Sequence, residues 1–520
     1  MLHPSNLPIW QEPDPACQYG YRDHLASRTP ASVSLSIPIQ RHPPEIRSAN
    51  VEETSMSRSP SSIDEGADAT ASRAAGLAVE IRPMMRLALP VVLSELGWMA
   101  MGVVDVMMVG PLGPEAIGAA GIGNIVFFSI AIFGIGLLLG MDTVISQSFG
   151  AGDVRDCHRS LVQGVYLALA VSVPLMALTA VALGILPKAN IPPTVQALAT
   201  PYLAIQTLSL APLLVFFALR RYLQGMNLAL PVLVALGVAN VANLFGNWVF
   251  VYGRFGCPAL GVAGSAWATL ASRVAMLAFL AIYALMHAAR TRNGLLQASL
   301  RFDAARMRLL IPLGLPTAIQ LTLEIAVFCA TALLAAKLGE IPLAAHEIVL
   351  QVAGVAFMVP LGMSSAGAVR VGQAIGRNDP RGASRSGWTA LGLGAGFMAL
   401  SGLTMLLASG PILSIFTDER QVLATARSLL IAAAVFQVFD GLQVVGSGIL
   451  RGLGETRIPM YATLAAHWAI GLPIGYVMAF PMRWGVIGLW IGLASGLVTA
   501  GVMLLAAWVW RVRRLEREIV

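Results

Sequence analysis

"LALPVVLSELGWMAMGVVDVMMVGPLG" spans residues 87–113. Apart from Ser94, Glu95 and Asp105 it holds only apolar residues, glycine and proline. About 20 apolar residues are enough to cross the hydrocarbon core of a bilayer as a helix, so the stretch predicts a membrane span. Asp105 lies deep inside it. A carboxylate at the bilayer centre costs roughly 2.5–3.5 kcal/mol on insertion scales, and more by other estimates. It must therefore face the interior of a helix bundle or a wet cavity.

The 520-residue chain is 57% hydrophobic and 12% charged, with a mean hydropathy of +0.73. Soluble domains carry about 25% charged residues, so the composition predicts an all-α, multi-pass membrane protein. The formal net charge of +7 is no nucleic-acid footprint, because the basic residues fall in short loops between apolar runs. Cys17, Cys157, Cys257 and Cys329 are too widely spaced for a zinc pattern or a disulfide framework. Residues 1–78 are rich in proline, serine, arginine and acids, with no long apolar run. They predict a disordered cytoplasmic tail, and they lack the apolar core of a signal peptide.

Apolar runs between polar breaks give twelve spans, near 85–111, 116–148, 160–186, 198–219, 231–252, 259–287, 308–336, 341–371, 385–409, 422–450, 458–480 and 485–510. Arginines mark alternate loops. Arg155 and Arg159 follow the second span, and Arg220 and Arg221 the fourth. Arg290, Arg292, Arg301, Arg306 and Arg308 lie between the sixth and seventh. Arg377, Arg381 and Arg385 follow the eighth, Arg451 and Arg457 the tenth, and Arg511, Arg513, Arg514 and Arg517 the last. The excess of basic residues puts these loops and both termini in the cytoplasm. The expected location is a bacterial inner membrane.

The chain repeats itself. One constant shift aligns Leu89-Pro90 with Leu315-Pro316, Gly136 with Gly362, Gln147 with Gln373, Gly150 with Gly376 and Asp153 with Asp379. Six spans per half keep both halves in one orientation. The expected organisation is a first lobe over 79–290, a cytoplasmic inter-lobe loop over 291–307 and a second lobe over 308–520. Parallel repeats of this kind mark secondary transporters, whose sites lie near the midplane between the halves. Pro90 and Pro316 disturb the first span of each half, as a static kink or as a hinge.

Several chemistries are excluded. The two lysines, Lys188 and Lys337, end no GxxxxGK[ST] loop, so there is no nucleotide site of that type. Energy must come from an ion gradient or a partner chain, and no cofactor is expected. His346-Glu347 is followed by Leu350 where HExxH requires histidine. Asp440 in "FDGLQ" lacks the GxGD of an intramembrane aspartyl protease. An embedded enzyme is the remote alternative.

The polar residues inside the spans are the candidate site. Asp105, Glu324 and Asp440 are carboxylates on otherwise apolar helices, and Gln320 lies one turn before Glu324, within side-chain reach. Gln443 lies one turn after Asp440. Asn243 and Asn247 share a helix face, where bonds between helices are the simpler role. Glu347, Glu95 and Asp142 are secondary candidates, with Ser146 placed for a local bond to Asp142. Arg273 is expected to neutralise a buried acid. Out of water a carboxyl group binds protons more readily, and converging carboxylates can equally hold Na⁺. Either use would also attract organic cations.

Four blocks carry a family resemblance: "GVVDVMMVG" (102–110), "GMDTVISQSFGAGD" (140–153), "AAHEIVLQVAGVAFMVPLGMSSAGAVRVGQAIG" (344–376) and "GLQVVGSGILRGLGETRIP" (441–459). With them residues 80–515 resemble the multidrug and toxic compound extrusion (MATE) family, in its NorM-like branch. The resemblance implies two six-helix lobes around a central cavity and a monomer exporting cationic, amphiphilic drugs in exchange for H⁺ or Na⁺. It also implies that Asp105, Glu324 and Asp440 couple cations and bind substrate in that cavity, with possible Na⁺ at Glu324 and Asp440. The fifth span offers Asn243 and Asn247 but no carboxylate, so one branch's first-lobe proton site is incomplete. The runner-up, a flippase of lipid-linked saccharides, would be expected to have a basic cavity.

Overall fold

The computed structural model describes residues 64–188, 191–291 and 293–517, with side chains described from Glu80 onward. Ala67–Val520 form one compact unit. The expectation of disorder for residues 1–63, and Arg292, lie outside the described residues. Residues 64–78, read as part of the tail, are helical. "DEGADATASRAAGLAVE" (64–80) is alanine-rich and proline-free, and its acids sit at the helix start, where the dipole favours them. Its polarity masked that propensity.

Among the described residues the chain is helical throughout, with no strand. The first half comprises α1 (Asp64–Val109), α2 (Pro114–Gly150), α3 (Val154–Ile185), α4 (Pro193–Leu208 and Leu210–Gly225), α5 (Leu230–Tyr252) and α6 (Val262–Thr291). The second comprises α7 (Ala304–Leu338), α8 (Glu340–Gly376), α9 (Pro380–Leu407), α10 (Arg420–Gly452), α11 (Arg457–Ala479) and α12 (Gly485–Arg517). Eleven are long and apolar enough to span a membrane, and the two pieces of α4, bent by 44°, make the twelfth. α1 continues unbroken through Pro90 and α7 through Pro316. α11 contains a π-helical stretch, Leu464–Gly471.

The bend in α4 falls where Pro212, which has no amide hydrogen to donate to the Leu208 carbonyl, breaks the helix ladder. From α6, Arg273 reaches the bend, bonding Gln206 Oε1 at 2.8 Å and the Ser209 hydroxyl while stacking on Phe127 at 4.4 Å. Arg273 makes no direct ion pair among the described residues, yet it lies close enough to the buried Asp105 for their charges to attract. Its partners are an amide and a hydroxyl at a broken helix.

α7 starts at Ala304 because Asp303 caps it, accepting from the amides of Ala305 (3.0 Å) and Arg306 (3.1 Å). The inter-lobe loop is strapped along α3. Gln163 donates to the Arg301 carbonyl at 2.9 Å, and its oxygen accepts from the Asp303 amide at 3.1 Å.

The halves meet by reciprocal contacts. A Cβ at Gly136 would sit 2.6 Å from Ala318 Cα, and one at Gly362 would sit 2.8 Å from Val92 Cα. Gly362 is the repeat counterpart of Gly136, and Ala318 is that of Val92. Likewise a side chain at Gly150 would collide with the Gln373 carbonyl, and one at Gly376 with that of Gln147. Exchange of equivalent partners is the signature of a two-fold interface, here built from the repeats of one chain. Small residues at these crossings let the backbones approach.

α1 and α7 follow the same rule. The early part of α1 (Leu87, Ala88, Val91) packs with Met363 and Ala366 of α8, while Leu310 and Ala318 of α7 pack with the first-half core. Their later parts stay at home: Val109 packs with Ala116 and Val262, and Ala335 with α8 and α10. The halves therefore interlock at the end bearing the arginine-rich loops.

Candidate functional site

The structure sorts the span carboxylates by their neighbours. Glu95 pairs with Arg220 of α4, and both are buried. Asp142 lies between Arg221 Nη1 at 3.5 Å and Arg451 Nε at 3.3 Å. Ser146 does bond one turn back, to the Asp142 carbonyl at 2.5 Å and not to the carboxylate. Arg220, Arg221 and Arg451 were read as loop charges. They lie inside α4 and in the last turn of α10, buried against these acids.

Asp105, Glu324, Asp440 and Glu347 make no ion pair among the described residues. Asp105 is held inside the first lobe. Its Oδ1 accepts from Asn243 Nδ2 at 2.9 Å and Asn247 Nδ2 at 2.8 Å, and its Oδ2 accepts from Thr269 Oγ1 at 2.9 Å. The i, i+4 spacing on α5 points both amides at one carboxylate oxygen. The amide oxygens of Asn243 and Asn247 are buried without a protein partner. A carboxylate beside free amide oxygens is a donor set that suits a hard cation. Thr269 escaped sequence reading because one threonine in an apolar helix looks neutral. Its one signal was the i, i+4 spacing to Arg273.

The second lobe builds a different cluster. Glu324 Oε1 on α7 accepts from Gln443 Nε2 on α10 at 3.0 Å. Asp440, one turn before Gln443, lies close enough for its charge and that of Glu324 to repel. Gln320 does not meet Glu324. It exchanges bonds with the Ser447 hydroxyl of α10 at 3.1 and 3.2 Å. Two facing carboxylates cannot both stay charged cheaply out of water, so the pair favours holding one positive charge. Trp468 of α11 donates to the Leu323 carbonyl at 3.1 Å and so braces α7 beside Glu324.

Glu347 and Gln351, one turn apart on α8, are exposed in the middle of an apolar span. Lipid would penalise that face, so it belongs to a wet surface. Of these four acids, Asp105 lies in the first half, Glu324 and Asp440 lie close together in the second, and Glu347 stands apart from that pair on α8.

The family model MatE matches residues 90–249 and again 316–477, so its two matches begin at Pro90 and at its repeat counterpart Pro316. The chain is 39% identical to the "Probable multidrug resistance protein NorM" of Mesorhizobium japonicum, over 84% of this chain and 94% of that protein. It is also 39% identical to the "Multidrug resistance protein NorM" of Burkholderia vietnamiensis, over 81% of this chain and 92% of that one. The eukaryotic MATE transporter AtDTX14 shares the fold, with a TM-score of 0.76 at 22% identity over 86% of this chain and all of that one.

Proposed function

The chain belongs to the MatE family, and on that premise we propose that it is a secondary multidrug exporter, moving cationic and amphiphilic organic compounds out of the cell in exchange for Na⁺ or H⁺. The observation that carries the reading is the set of span carboxylates left without a direct arginine partner. Glu95 and Asp142 are paired directly with arginines, whereas Glu324 and Asp440 are not, and Asp105 feels Arg273 only without direct contact. An exporter needs acids whose positive partner comes and goes, and these three are placed for it.

The Glu324–Asp440 pair, with Gln443 bonded to Glu324, is the coupling site, since one added positive charge relieves its repulsion. Asp105, within its three donors, is a second cation site in the first lobe. Glu347 and Gln351 line the substrate path on α8. Export driven by an imposed ion gradient in reconstituted vesicles tests the reading.

Both termini lie on the cytoplasmic side, because the arginine-rich loops share the interlocked end. A reporter enzyme that is active only outside the cytoplasm, fused after Val520, is expected to be silent. Activity there would reverse the topology.

A further inference from the structure

The interlocked end holds contacts that the repeat does not duplicate, among them the ion pairs Arg370–Glu80 and Arg306–Asp156 and a triad of Asp142, Arg221 and Arg451. Gln147 Nε2 of α2 donates across the interface to the Gly452 carbonyl at 3.1 Å, and Gln373 Nε2 of α8 donates to the Gly225 carbonyl at 2.9 Å. These bonds are two-fold mates. The Asp142–Arg451 ion pair is not, since the repeat counterpart of Asp142 is Ala368. Asp142 belongs to the first half and Arg451 to the second, and Arg221 on Asp142's own side approaches the same carboxylate oxygen. One acid therefore separates two arginines that belong to opposite halves.

We propose that Asp142, Arg221 and Arg451 form a charge latch that holds the arginine-rich end shut and parts when the transporter opens to that side. The proposal rests on the reading of the chain as an alternating-access exporter. Closed, the carboxylate screens two like charges out of water. Opened, water hydrates all three, so parting leaves no charge stranded in a dry interior. The two glutamine bonds set the register of closure, and the ion triad adds to the strength supplied by the Arg370–Glu80 and Arg306–Asp156 pairs.

The triad predicts an order that a general packing role would not. Asp142→Asn leaves Arg221 and Arg451 repelling each other across the interface, so it drives the halves apart. Arg451→Gln leaves Asp142 paired with Arg221 inside one half, so it only weakens the latch. Asp142→Glu restores the charge. The exposed residues Arg155 and Arg381 lie at this end on opposite halves.

Spin labels at positions 155 and 381, with the native cysteines replaced by serine, report the separation by electron double resonance in lipid nanodiscs. Asp142→Asn is expected to raise the ratio of long to short distances at least about tenfold, the effect of roughly 1.4 kcal/mol. Arg451→Gln should raise it less, and Asp142→Glu should restore the wild-type distribution. Unchanged distributions in both charge-removing variants, or a larger shift for Arg451→Gln, would overturn the latch. Should Asp142→Asn not fold, Arg451→Gln decides: it is expected to lengthen the distance, and no change would overturn the proposal. The measurement needs neither substrate nor gradient, so a wild type that fails to export would count against the functional reading and leave the latch standing.

Discussion

Glu324→Gln is expected to abolish gradient-driven export while the protein still inserts and folds. Glutamine keeps the side-chain shape and an oxygen able to accept from Gln443, so the 3.0 Å bond to α10 can persist. What disappears is the second charge of the Glu324–Asp440 pair. In a partly wet site of effective dielectric near 20, one charge at about 4 Å contributes roughly 4 kcal/mol before desolvation is subtracted. If a third of that survives, the loss is about tenfold in cation affinity. The coupled rate should fall further, because an exporter that cannot hold its ion cannot reset. Initial rates of dye efflux from vesicles holding equal amounts of wild type and variant provide the check. Wild-type rates in Glu324→Gln would remove Glu324 from the coupling site.

Asp105→Asn should also cut export by at least about tenfold. The carboxylate accepts from three donors. An asparagine can keep its oxygen toward Asn243 and Asn247 and turn its NH₂ toward Thr269, whose hydroxyl can accept while donating to the Ser265 carbonyl at 3.0 Å, so what the site loses is its charge. Because Asp105 is enclosed by its own lobe, the loss should fall equally on a quaternary ammonium dye and on a neutral analogue, with binding of both intact when no gradient is applied. A selective loss of the charged dye would instead place Asp105 in the substrate path. Thr269→Val, which removes one donor and keeps the charge, should show a weaker form of the same defect.

Much of this architecture was legible in the sequence because lipid imposes a simple rule. Every span must satisfy its own backbone, so apolar helices of sufficient length declare themselves. The repeat was equally plain, and its pairs Gly136/Gly362 and Gln147/Gln373 proved to be reciprocal contacts of the interface. Three features were hidden because they depend on neighbours distant in the chain. The break in α4 at Ser209 is marked in the sequence by Pro212 one turn on, but its clamp by Arg273 from α6 is not. Arg220, Arg221 and Arg451 looked like loop charges because they stand at the ends of apolar runs, yet each is buried against an acid or close to one.

The third is partner choice. Spacing along one helix favoured Gln320 as the companion of Glu324. Packing of α7 on α10 gave Glu324 to Gln443 and Gln320 to Ser447. Candidate acids could therefore be named from sequence, whereas their division into neutralised and unpaired groups required the fold.

That division makes ion-coupled export the central claim, and reconstituted transport tests it most directly. Purified wild-type protein in vesicles preloaded with a quaternary ammonium dye would be given either a pH gradient or a Na⁺ gradient of opposite direction to dye movement. The account predicts dye transport that starts when at least one gradient is imposed, stops when it is collapsed by an ionophore, and is absent in Glu324→Gln. Dye movement indifferent to both gradients, or undiminished in that variant, would contradict it.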